Sequence, residues 1–200
     1  FLTAKLFEST GRNKFHTFRR MFLSCCAIST VSRMSTVPKT AEKDRPISME
    51  PLWNMVAQLS YAADIRDALK RQYGIDLDSR ASLHRGLIRN PGYATVDFSN
   101  ASNSNWRAVL QELLPHDVYH RLDNLRSHVT EYNGRFHHWN MLAPMGNGYT
   151  FEVMTVVLLH LARVLDGSAS VFGDDVIIRD TVAPAFCELA VALGWVVNRA

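Results

Sequence analysis

The sequence predicts an α+β fold, an antiparallel sheet with helices on one face. Three observations lead there. From Tyr93 onward, short runs rich in β-branched and aromatic residues alternate with segments of helical periodicity. Two turn signals, Asn133–Gly134 and Gly173–Asp174–Asp175, lie between strand-like runs and read as hairpins. The resulting order is strand, helix pair, hairpin, helix, hairpin, helix, strand, which is that of a layered α+β domain.

Taken in order, Phe1–Arg20 has weak helical periodicity and receives no assignment. Ser35–Pro51 (STVPKTAEKDRPISMEP) is broken by Pro38, Pro46 and Pro51, so it is extended or looped. Leu52–Tyr73 is helical. Leu52, Met55, Val56, Leu59 and Ala63 keep the spacing of one helix face, and Ile65 and Leu69 continue inward. Gly74 supplies the stop. Asp76–Asn90 is polar and mixed, with Asp78 or Ser79 as a helix cap. Tyr93–Phe98 (YATVDF) is a short strand with Asp97 near its carboxyl end, and Ser99–Asn105 is a polar loop. A helix covers Trp106–Leu114, and a second starts at Pro115 and runs to the region of Arg126. Val129–Trp139 forms a hairpin. His137 and His138 within it point to opposite faces and are poor co-ligands.

The loop Pro144–Gly148 (PMGNG) opens onto the helix Thr150–Leu165, which is apolar on most sides and therefore buried. His160 is expected there as a satisfied core histidine, and Glu152 as a partner of the helix dipole. Ala169–Arg179 (ASVFGDDVIIR) is the second hairpin. Ala183–Leu193 is a helix stopped by Gly194, and Trp195–Val197 begins another strand.

With 47% hydrophobic content, 200 residues suffice for one core, or for one domain with an appended lobe. The formal charge of +3 fits an anionic partner. Its distribution says more. Cations crowd the first 45 residues, while Asp97, Asp174 and Asp175 lie far downstream, an arrangement suited to a polyanionic substrate. Cys25, Cys26 and Cys187 form no CxxC, which argues against a zinc site or disulfide framework and for a reducing compartment. The apolar runs Met21–Ile28 and Val153–Leu161 are too short to span a membrane. The first 35 residues mimic a transit peptide in composition. A start at Phe1 and an end at Ala200 within an apparent element make a fragment the preferred reading.

The chemistry concentrates in three carboxylates. If the YATVD strand pairs beside the GDD hairpin, Asp97 and Asp174 converge at one end of the sheet with Asp175 beside them. Strand alternation allows at most one of the adjacent pair to point straight into a given site. Clustered carboxylates repel unless a cation intervenes, and magnesium commonly binds one or two carboxylates plus substrate phosphates. Lys39, Lys43 and Arg45 are placed to face a phosphate-rich ligand. Glycines before a helix let its free N–H groups approach one too. Each feature alone has a bland counterpart: a solvated turn, a charged loop, a tight bend.

The segments VPKTAEKDRPISMEPLWNM, IRDALKRQYGIDL, ATVDFSNASNS, PMGNGYTFE, VFGDDVII and PAFCELAVALGWVVN cover most of Ser35–Asn198. In this order they resemble the RNA-directed RNA polymerases of positive-strand RNA phages, the levivirus replicase β-subunits. The resemblance implies a right-hand polymerase, with part of the basic fingers in residues 1–92, the palm in residues 93–200, and the thumb missing. It implies RNA-templated RNA synthesis by two-metal transfer of nucleoside triphosphates to a 3′-hydroxyl, with two Mg2+ ions and Mn2+ as substitute. By motif position Asp97 and Asp174 are the principal metal carboxylates and Asp175 assists. Gly146, Asn147 and Gly148 position template and incoming nucleotide. Lys39, Lys43 and Arg45 meet the triphosphate, with Arg66 a further candidate. The implied partners are template RNA, nucleoside triphosphates, host translation factors and a ribosomal protein. The implied location is the cytoplasm of a bacterial host.

Two departures stand out. Asn103 occupies the place of an aspartate that the family uses to select the ribose 2′-hydroxyl; an amide still hydrogen-bonds a hydroxyl but carries no charge. A lysine expected after the last strand falls beyond Ala200. Two other readings share these residues: a non-catalytic RNA-binding remnant of such a polymerase, and a reverse transcriptase.

Overall fold

The computed structural model describes residues 16–25, 29–39 and 44–198. The chain divides into two compact units, Phe1–Thr30 and Val31–Ala200. In the first, residues 16–25 are helical (α1), and the rings of Phe18 and Phe22 stack one turn apart with centroids 6.2 Å apart.

The second unit holds the rest. On both sides of residues 40–43, which lie outside the described residues, the proline-bearing stretch is extended: β1 (Val31–Pro38) pairs antiparallel with β2 (Asp44–Met49). Helix α2 (Leu52–Tyr73) ends where Gly74 adopts a left-handed φ of 64°. Its buried face differs from the expected one. Gln58, Ala62 and Leu69 are buried, whereas Leu52, Val56 and Leu59 are exposed. The polar Gln58 faces inward because it satisfies loop backbone groups there: its Nε2 donates to Leu125 O at 2.8 Å and its Oε1 accepts from Gly148 N at 2.8 Å. The mixed stretch after Gly74 folds as α3 (Leu77–Leu87), capped by the Asp76 side chain, which accepts from Asp78 N.

The predicted strand Tyr93–Phe98 is split at Asp97. β3 (Tyr93–Val96) and β4 (Phe98–Ser99) join different sheets. A 3₁₀ turn (Ala101–Ser104) follows, then α4 (Arg107–Leu113) and α5 (His116–Asn124). The hairpin β5 (Val129–Tyr132) and β6 (Arg135–His138) turns on Asn133 and Gly134, with φ of 51° and 73°, the two positive values that a type I′ turn needs. Helix α6 (Thr150–Leu165) is buried on most sides, as predicted. Then come β7 (Ser170–Phe172), β8 (Asp175–Arg179), α7 (Ala183–Ala192) and β9 (Val196–Val197).

The sheets run β2-β1-β5-β6, β3-β8-β7 and β4-β9. All their pairings are antiparallel except β1 with β5, which is parallel with Val31 opposite Val129. The fold is thus α+β, with one sheet mixed. In β3-β8-β7 the side chains of Val171, Val176 and Ile178 pack toward the core shared with α6 and α7, around Leu158 and Phe186. Each such fully buried side chain contributes roughly 1.5–3 kcal/mol. Helices are not confined to that face. His84 of α3 is 2.8 Å from Ser170 Oγ, so α3 covers the β7 edge of the opposite face. His160 is exposed rather than in the core, hydrogen-bonded with Tyr73 at 3.0 Å.

Candidate active site

The GDD hairpin forms as read. Phe172 pairs with Asp175, leaving Gly173 and Asp174 as the two turn residues. Gly173 has φ of 65°, positive at the first turn position as in a type II′ hairpin. Its N–H donates to Thr155 Oγ1 at 3.0 Å, so α6 holds the turn from beneath. Val96 pairs with Val176, which brings the end of β3 alongside this turn. Asp97 follows at the break between two sheets. Its backbone carbonyl and its Oδ2 accept from the backbone N–H and Nδ2 of Asn198, at 3.0 and 2.7 Å.

A cleft of about 810 Å³ lies beside the turn. Asp97 and Asp174 line it from one side, Lys39 and Arg45 from the β1–β2 hairpin, and Asn103, Gly146 and Asn147 close it. Residues that lie far apart in the chain thus share one space. Lys43 lies outside the described residues. Asp175 opens elsewhere, into a second cavity of about 420 Å³ that Asp97 also borders. The two adjacent carboxylates separate because Asp174 is the second residue of the turn and Asp175 the first of β8. Burial, with the charges of Asp174 and Asp97 next, pushes the Asp175 carboxyl above its ordinary range.

The glycine loop has two kinds of residue. Gly146 has φ of 106° and crosses β2 so closely that a Cβ would meet Ser48 O, while Ser48 N donates to Met145 O at 2.7 Å. Gly146→Ala is expected to cost about 1–3 kcal/mol from the backbone conformation alone. Thermal unfolding of variant against parent measures it; an unchanged midpoint would show a looser crossing. Asn147 is only 7% exposed, and its amide atoms make no hydrogen bond of ordinary geometry with described residues. The neighbouring Tyr149 hydroxyl donates instead to Leu122 O at 2.8 Å. Such a buried amide at a cleft wall suits a polar ligand.

Two sequence candidates lie elsewhere. Gly148 packs on α2, where a Cβ would come within 3.1 Å of Gln58 and Leu59. Arg66 does not line the cleft. Its Nε donates to Glu152 at 2.7 Å and its Nη1 to Asp78 at 2.8 Å. Glu152 is 4% exposed and thus serves as an ion-pair partner beyond any helix-dipole role. Asn198, Thr155 and Gln58 escape the sequence reading. A lone polar residue at a strand end, in a helix or on an inward face carries no local signal of what it will bond.

No group of three or more His, Cys, Asp or Glu converges as a metal cage among the described residues. The donor set is two carboxylates at one cleft, all hard oxygen. This is the set magnesium takes when substrate phosphates complete its shell.

Comparison with known proteins adds the following. The family described as RNA replicase, beta-chain, matches residues 10–200. The RNA-directed RNA polymerase subunit beta of Escherichia virus Qbeta is 37% identical over 183 residues, 86% of this chain and 31% of that protein. That of Enterobacteria phage SP is 34% identical over 184 residues, 86% and 32% of the two. The RNA-directed RNA polymerase beta chain of Escherichia phage MS2 is 32% identical over 173 residues, 82% and 31%. The chain spans about a third of the length of these relatives.

Proposed function

The chain belongs to the RNA replicase β-chain family, and from that premise we propose that it carries the catalytic centre of an RNA-templated RNA polymerase in viral genome replication. The observation that carries this reading is the cleft that Asp97 and Asp174 line together with Lys39, Arg45, Asn103 and Asn147. On this reading β3-β8-β7 with α6 and α7 is the palm, and the β1–β2 hairpin belongs to the fingers.

Lys39 and Arg45 bind the triphosphate, and Lys43 belongs to the same segment by its position in the sequence. Asn103 and the buried amide of Asn147 offer hydrogen bonds to ribose and base, which orient the nucleotide for attack. Asp97 and Asp174 would hold magnesium, or manganese in its place. Two ions held there would supply the charge to activate a 3′-hydroxyl and to stabilise departing pyrophosphate. Asp175 adds negative charge from the second cavity, which Asp97 also borders. Template RNA and ribonucleoside triphosphates are the substrates this reading requires, with host factors as in the phage family. The place of action is the bacterial cytoplasm. No described helix is long and apolar enough to cross a membrane.

The test is nucleotide incorporation on an RNA template by the full-length protein. Incorporation is expected to need Mg2+ or Mn2+, to stop on chelation and to return on re-addition. RNA binding without metal-dependent incorporation would favour a non-catalytic remnant. Preference for deoxyribonucleotides would favour reverse transcription.

A further inference from the structure

Arg66 has more partners than a surface cation needs. Its guanidinium joins three helices: it sits on α2, pairs with Asp78 in the first turn of α3, and pairs with Glu152 in the first turn of α6. The Glu152 carboxylate is buried, with 6% of its side chain exposed, so Arg66 is what neutralises it. The Arg66 Cζ also lies 5.9 Å from the centroid of the Phe151 ring. A planar guanidinium can pair with two carboxylates and stack on an aromatic ring at once; an ammonium cannot.

Phe151 leads to the turn. A Cβ on Gly173 would come within 2.5 Å of the Phe151 ring, so the turn backbone rests directly on it. Phe151 also meets Phe172 edge to face at 4.9 Å. The residue after Gly173 is Asp174. A shift of the ring would therefore move the Asp174 backbone, since the glycine has no side chain to absorb it.

We propose that Arg66 is a positioning residue for the Asp174 turn: it clamps Phe151, and Phe151 seats Gly173. This replaces the triphosphate contact expected of Arg66 from the sequence. The inference rests on the reading of Asp174 as a catalytic residue.

The experiment measures steady-state incorporation by the full-length protein, per folded molecule. Arg66→Gln is expected to lower kcat by about 10–100-fold, because small misplacements of reacting groups cost that much. The nucleotide KM should stay within about twofold, since no binding contact is lost. Arg66→Lys retains the charge beside buried Glu152 but cannot hold both carboxylates and stack on the ring at once. It should show the same loss of kcat at unchanged KM, and it decides the matter if Arg66→Gln does not fold. A raised KM at parental kcat, restored by lysine, would mean a triphosphate contact and overturn the proposal. Parental kcat in Arg66→Lys would overturn it too. Asp174→Asn serves as control. If that variant remains active, the underlying reading has failed; if it is inactive while both Arg66 variants are normal, the positioning role alone has failed.

Discussion

Asp174→Ala in the full-length protein is expected to reduce nucleotide incorporation by about 10²-fold or more while leaving RNA binding intact. The reason is the division of labour at the turn. The turn is built by Gly173: its left-handed backbone, its N–H bond to Thr155 and its seat on Phe151. The Asp174 side chain takes no part in that construction and opens into the cleft. Its loss should remove charge from the site without moving the backbone, so the unfolding midpoint should stay near the parental one. Asp97→Ala is expected to give the same loss of activity with a larger change in stability, because it also loses the 2.7 Å bond from Asn198. Incorporation at the parental rate by Asp174→Ala would refute the assignment of the cleft.

The second large effect concerns stability. Asp123→Asn is expected to destabilise the fold by about 3–5 kcal/mol, the cost of leaving a buried charge without its partner. The side chain of Arg126 is 1% exposed, and it donates to Asp123 Oδ1 at 2.8 Å. Arg107 donates to the other oxygen at 2.7 Å from a half-exposed position, where solvent screens the pair and reduces its contribution. Burial by itself would raise the Asp123 carboxyl, but Arg107 and Arg126 outweigh it and hold the group below the ordinary carboxylate range. The sign of the pH effect follows. The folded state binds this proton less tightly than the unfolded one, so the stabilisation is complete above the ordinary carboxylate pKa. It is lost as pH falls through the depressed value. The gap between parent and variant in denaturant unfolding should accordingly be wide at neutral pH and close in acid. A gap that persists unchanged in strong acid would show that charge is not its source.

Much of the architecture was legible because it is local. Alternating β-branched residues, Asn133–Gly134 and Gly173–Asp174, and the stop at Gly74 act within a few residues of backbone. Three expectations failed where a distant partner decided the outcome, and a fourth residue, Arg66, lies away from the cleft. The apolar stripe of Leu52, Val56 and Leu59 stays exposed because Gln58 is drawn inward by Leu125 and Gly148. The strand through Asp97 breaks because β9, near the far end of the chain, pairs with Phe98–Ser99. His160 stays at the surface, where it hydrogen-bonds with the Tyr73 hydroxyl of α2 at 3.0 Å. Arg66 turns to Glu152 and Asp78 instead of the cleft, since a buried carboxylate is the stronger attraction.

By itself, the order of residues determined which segments extend, coil or turn, and which side chains are candidates for the chemistry, since steric and hydrogen-bonding preferences of neighbouring residues act along the chain. Only the tertiary structure decided which of those side chains share a space. Asp97, Asp174, Lys39, Arg45, Asn103 and Asn147 meet at one cleft, whereas Asp175, Gly148 and Arg66 face away from it. That sorting follows from strand register and helix packing, whose energies depend on burying surfaces that are remote in the chain and adjacent only after it has folded.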